Sequence, residues 1–191
     1  MKKAIDICLI PPPHIIDDIL AWNKEAVDSG MSPVTLDNVQ RLPHLSLLMG
    51  IAAEKDLPAI IASVEELTSQ YTPVAIQTTS IHTNWIHIEK STQLMALHMA
   101  LMEHVYPLLL KEQGVAELYG DAKNTEIDPG VYRWINDFAL VGKEAFAPHI
   151  TIWHETKQDM TYHNSFSCDT LAIAHLGNFN TIHSILWTNK P

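Results

Sequence analysis

Leu42-Pro43-His44-Leu45-Ser46-Leu47 recurs 105 positions later as Ala147-Pro148-His149-Ile150-Thr151-Ile152. Each copy runs apolar residue, Pro, His, apolar residue, hydroxyl, apolar residue. Successive side chains of an extended strand point to opposite faces, so the His and the hydroxyl share one face and the apolar residues the other. Two such strands meeting across a cleft would put two imidazoles and two hydroxyls around one small volume. The bare triplet is a weak signal, because among 11 histidines about one or two His-x-Ser/Thr matches arise by chance. A third, His163-Asn164-Ser165, has neither the Pro nor the apolar alternation and reads as a loop. Shared context sets the first two apart from it.

Outward from these motifs the chain alternates strands and helices. A strand is predicted over 4–10, ended by Pro11-Pro12-Pro13, which cannot continue a ladder. Ile15, Ile16, Ile19, Leu20 and Val27 predict a helix over 14–29, closed by Gly30. A polar loop over 31–43 leads into the first motif strand, 45–50. Asp56 opens a second helix with Pro58 in its first turn, where a missing N–H is harmless, and Thr72-Pro73 ends it. Strands over 74–82 and 85–89 are expected to form a hairpin around Thr83-Asn84. The longest helix is expected over 91–113, kinked at Pro107 and closed by Gly114. Within 115–144 the pattern gives a turn at Asp128-Pro129-Gly130 and no assignable element. The second motif strand follows over 148–154, then a polar interruption, then closing strands over 165–176 and 181–188 around Gly177-Asn178.

The 191 residues, 47% of them hydrophobic, suffice for one buried core and not for two, so a single domain over 1–191 with two lobes is expected. The net charge is −10 and the only arginines are Arg41 and Arg133. That balance argues against gripping long nucleic acid, whose phosphates are held largely by Lys and Arg. A small phosphate substrate stays compatible with it, since net charge does not fix the field inside one pocket. Cys8 and Cys168 imply no disulfide framework. The apolar run after Met1-Lys2-Lys3 is interrupted by Asp6 and stopped by the three prolines, so it does not read as a secretory signal. No run reaches the roughly 18 apolar residues of a membrane span. A cytoplasmic setting without membrane contact is expected.

The order of elements and the paired motifs together resemble the two-histidine phosphoesterase superfamily, the cyclic nucleotide phosphodiesterases and RNA ligase-like proteins. The resemblance covers essentially the whole chain in order of elements and takes its specificity from the two motifs. It implies an α+β bilobal fold, two antiparallel sheets around a central cleft with helices outside, each lobe giving one His-x-Ser/Thr strand. It also implies metal-independent action on 2′,3′-cyclic phosphates or 2′-5′ linkages, with His44, Ser46, His149 and Thr151 as the matched positions.

The residue chemistry agrees with that function. Histidine's ordinary pKa of about 6.5 lets it act as acid or base near neutrality, and cleavage of a phosphodiester wants one of each. Two imidazoles sharing a cleft favour the singly protonated pair. Ser46 and Thr151 are then candidates to hydrogen-bond the non-bridging phosphate oxygens. Trp153 follows Thr151 on the same face and is a candidate to stack on a base, ahead of Tyr132 and Trp134. Arg41 and Arg133 are weaker candidates for phosphate steering. His82, His87, His98, His104 and His154 do not form a metal signature: there is no His-Glu-x-x-His and no Cys cluster, and His98 and His104 are spaced wrongly to share a helix face. His154 is expected opposite His149, at core or edge. No metal or cofactor is expected.

Two function classes follow. One is a hydrolase, a phosphodiesterase acting on a cyclic phosphate or 2′-5′ diester of a nucleotide or short oligonucleotide. The other is a module that holds a nucleotide or phosphorylated partner in the same cleft without turnover. Completeness of both motifs favours the hydrolase. A scaffold with accidental motifs would instead leave the two histidines far apart.

Overall fold

A computed structural model describes residues 1–123, 126–141, 145–162 and 164–190, without the side chains of 83, 139–141 and 154–161. The expectations for His163 and for the direction of the His154 side chain lie outside the described set. The elements run β1 (Lys2–Ile10), α1 (Pro13–Asp28), β2 (Leu45–Ala53), α2 (Leu57–Tyr71), β3 (Val74–Ile88), α3 (Thr92–His104), α4 (Pro129–Val141), β4 (His149–Thr161), β5 (Ser165–Cys168), β6 (Thr170–Leu176) and β7 (Ile182–Thr188).

The strands form one sheet in the order β5-β3-β4-β2-β1-β6-β7, with antiparallel neighbours throughout. It falls into two halves, β2-β1-β6-β7 and β5-β3-β4. Between them, among the described residues, the register of β2 on β4 is the single pair Leu45 opposite Ile150. The halves therefore meet at the two motifs and nowhere else along these strands, the bilobal α+β arrangement expected. Leu45, Leu47, Ile150 and Ile152 are all buried, so the motifs' apolar face anchors the meeting point in the core. Helix α1 packs on β4, α3 on β2 and β3, and α2 on α3.

Five elements differ from expectation. The hairpin at Thr83-Asn84 does not form, and β3 runs straight through it. The pair lacks the glycine that a tight reversal favours. The long partner β4 instead keeps the ladder going, with register shifts between Ile81 and Thr83 and between Thr83 and Trp85. For the same reason β4 continues through the polar stretch, since strand pairing overrides local propensity. Helix α3 stops at His104. Pro107 lacks an N–H and its ring blocks the preceding helical turn, so a 3-10 turn over Tyr106–Leu108 replaces the expected kinked helix. The turn at Pro129 proves to be the start of α4, where Pro suits the first helical position, and buried Val131, Ile135 and Phe138 make its stripe. The expected strand over 165–176 divides at Asp169: β5 pairs with β3 in one half and β6 with β1 in the other.

Candidate active site

Antiparallel pairing of Leu45 with Ile150 sets His44 and Ser46 on either side of one residue and His149 and Thr151 on either side of the other. All four, together with Trp153, line one cavity of about 690 Å³. Both imidazoles are held alike. The Nδ1–H of His44 donates to the Leu42 carbonyl and that of His149 to the Ala147 carbonyl, each at 2.8 Å. The accepting carbonyl belongs to the residue before the motif proline, which the pyrrolidine ring confines to extended backbone. The proline thus aims a fixed acceptor at each ring. With Nδ1 committed, Nε2 is the nitrogen left for proton transfer.

The electrostatics of the two rings differ. Asp6 on β1 is fully buried. Its Oδ2 lies 3.3 Å from His44 Nε2 and accepts a hydrogen bond from Ser46 Oγ at 2.6 Å, while Oδ1 has no partner among the described residues. A β-bulge brings it there. Ile7 pairs with Leu48 and Cys8 with Ser46, leaving Leu47 unmatched. The extra residue reverses the alternation, so Met49 joins His44 and Ser46 in lining the cleft. Asp6, the cross-strand partner of Met49, therefore shares that face. Burial would lower the His44 pKa, but the bond to Asp6 and its charge, helped by the Leu42 carbonyl, hold it above the ordinary value. Burial raises the Asp6 carboxyl, and His44 and Ser46 only partly counter this. His149 moves the other way: burial lowers it, the Ala147 carbonyl resists, and the charges of His87 and His44 lower it further.

An aromatic wall completes the cleft. Strand β3 sets His87 opposite His149 and Trp85 opposite Thr151, with the Trp85 and His149 ring centroids 4.7 Å apart. Trp134 of α4 lies 6.4 Å from both of those rings and is 46% exposed. Trp153 packs edge-on against Phe179 at 5.4 Å. Trp153, Phe179 and Asn180 have φ of 50°, 58° and 54°, left-handed values that side-chain-bearing residues rarely adopt. All three line the cavity, and such strain tends to gather at functional sites.

Arg133 also lines the cavity. Arg41 is exposed, with Nη1 3.5 Å from the Thr35 carbonyl, and Tyr132 packs on Tyr119. His98 is buried, bonds the Leu47 carbonyl through Nδ1 and stacks on the cleft residue Phe146 at 4.0 Å. Among the described residues, no group of three or more His, Cys, Asp or Glu is placed to hold a metal ion. Sequence reasoning did not single out Asp6, Trp85, Phe146 or Phe179 for the site. Asp6 alone carried a signal, a lone acid inside an apolar strand.

Residues 11–171 match the family model of the 2′-5′ RNA ligase superfamily. The chain belongs to this superfamily. Both histidine motifs fall inside the matched span. Solved structures extend the likeness to the whole fold. The protein TT0787 of Thermus thermophilus aligns over 97% of this chain and 96% of its own, with a TM-score of 0.63 at 15% identity. E. coli LigT complexed with 3′-AMP aligns over 98% and 97%, with a TM-score of 0.57 at 12% identity. Apo E. coli LigT gives a TM-score of 0.55 at 14% identity over 98% and 96%. No match is found among curated proteins.

Proposed function

We propose that this member of the 2′-5′ RNA ligase superfamily is a metal-independent phosphoesterase that hydrolyses a 2′,3′-cyclic phosphate or 2′-5′ diester of a nucleotide or short oligonucleotide. The observation that carries the reading is the pair of Nδ1-anchored imidazoles on adjoining strands of one cleft, one pushed towards its protonated form and one towards its neutral form. One imidazole takes a proton from the attacking water, and the other gives a proton to the departing ribose oxygen. Each such step contributes about 10²–10⁴-fold. Ser46 and Thr151 hydrogen-bond the non-bridging oxygens, Ser46 by turning its hydroxyl proton from Asp6 to the phosphate. Trp153 and the exposed Trp134 supply faces for a base. A LigT structure complexed with 3′-AMP supports a nucleotide-sized ligand. The compartment proposed is the cytoplasm; no helix among the described residues is long and apolar enough to cross a membrane.

The test is turnover of a panel of 2′,3′-cyclic nucleotides and 2′-5′ dinucleotides in EDTA, by wild type, His44→Ala and His149→Ala, each checked for folding by circular dichroism. Turnover by wild type that falls about 10²-fold or more in both variants is expected. Tight nucleotide binding without turnover of any member would instead favour the binding module.

A further inference from the structure

The motifs write the two histidines alike, and the structure does not treat them alike. Their Nδ1 atoms have matching partners, so the difference lies at Nε2. His44 Nε2 faces the Asp6 carboxylate at 3.3 Å. His149 stands among Trp85, Trp134 and His87, with no carboxylate bonded to it among the described residues. Asp6 itself lies outside the residues that match the superfamily model.

We propose that Asp6 is a positioning residue that divides the labour between the two histidines, making His44 the general acid and His149 the general base. The inference rests on the phosphoesterase reading above. A cation on His44 is paired by Asp6, whereas a cation on His149 would face His87 and His44 without a counter-charge bonded to it among the described residues. Of the two singly protonated forms of the pair, the one with the proton on His44 is therefore favoured. In the step, water oxygen bonds to phosphorus as its proton passes to His149 Nε2. The bond from phosphorus to the ribose oxygen breaks as His44 Nε2–H protonates that oxygen. The Nε2–H contact to Asp6 is longer than a strong charge-assisted bond, which leaves that proton within reach of a third atom. Among the described residues the other charged or titratable groups lining the cleft are His87 of β3, Arg133 of α4 and Asp128 just before it. Among the described residues none of these makes a hydrogen bond or ion pair with either imidazole, as Asp6 does with His44.

Two measurements test this. The first is an NMR titration of the His44 and His149 rings, assigned through His44→Ala and His149→Ala, in wild type and Asp6→Asn. It needs no substrate. His44 is expected to titrate at higher pH than His149 in wild type, and to shift down in Asp6→Asn while His149 shifts less. The second compares a 2′,3′-cyclic nucleotide with bis(4-nitrophenyl) phosphate, whose phenolate departs without a proton. His44→Ala should recover most of its lost rate on the aryl ester, and His149→Ala should not. The inference is overturned if His149 titrates at the higher pH, if Asp6→Asn leaves the His44 titration in place, or if His149→Ala is the variant rescued. Wild type that turns over neither substrate while its rings titrate as described would overturn the phosphoesterase reading, and with it the assignment of roles.

Discussion

Removing the His44 imidazole should destabilise the fold in a way that acid reverses. In His44→Ala, Asp6 stays fully buried. It keeps the bond from Ser46 and loses the cation facing Oδ2, while Oδ1 already lacks a partner among the described residues. Breaking a buried ion pair from one side costs about 3–5 kcal/mol. At roughly 2–4 °C per kcal/mol for a chain of this size, that is a fall in Tm of roughly 6–20 °C at pH 7. Asp6 has a folded-state pKa raised above 3.8, and losing the cation raises it further. Such a group binds its proton more readily folded than unfolded, so stability increases as pH falls through the folded pKa. His44 is itself raised above 6.5; its contribution to wild type is complete below 6.5 and disappears as pH rises through its folded value. Below pH 6.5 the His44 contribution is thus flat, and Asp6, raised further in the variant than in wild type, gains stability earlier there as pH falls, so the gap should narrow. Urea denaturation followed by circular dichroism at several pH values between 7 and 5 measures it. Adding Asp6→Asn to His44→Ala should restore much of the loss. A His44→Ala protein within about 0.5 kcal/mol of wild type, the usual range for a surface substitution, would refute the buried ion pair.

The pH profile of kcat/KM on a cyclic phosphate should be bell-shaped, with an acid limb below 6.5 from His149 and an alkaline limb above 6.5 from His44; both limbs on one side of 6.5 would contradict these environments. Trp134→Ala should raise KM for a nucleotide by about five- to tenfold, the lower end of base-stacking energies for a half-exposed ring, and leave kcat nearly unchanged. An equal fall in kcat, seen in steady-state kinetics, would move Trp134 from base contact to the chemical step.

The motif strands were legible because alternation and the motif proline are local facts. His44 and Ser46 share a face in the sequence, and they share the cleft in the fold. Helices α1 and α2 were legible for a similar reason, since apolar stripes and prolines near their starts act within a turn or two. What was illegible depends on partners far along the chain. Thr83-Asn84 looked like a reversal until β4 is alongside to continue the ladder. The stripe of Val131, Ile135 and Phe138 was masked by a turn signal at Asp128-Pro129-Gly130 that in fact starts the helix. Asp6 read as an interruption of an apolar strand, and its meaning came from a bulge at Leu47 that no periodicity announces. The aromatic wall is spread over β3, α4, β4 and the turn after β6, so only the fold assembles it.

The most direct measurement is the initial rate of 2′,3′-cyclic nucleotide hydrolysis in EDTA by wild type, His44→Ala, His149→Ala and the double variant. Residues that act as one catalytic unit are strongly non-additive. Each single variant should therefore lose most of the activity, and the double variant should be scarcely slower than the worse single one. Single variants near the wild-type rate, or losses that multiply in the double variant, would contradict a two-histidine mechanism.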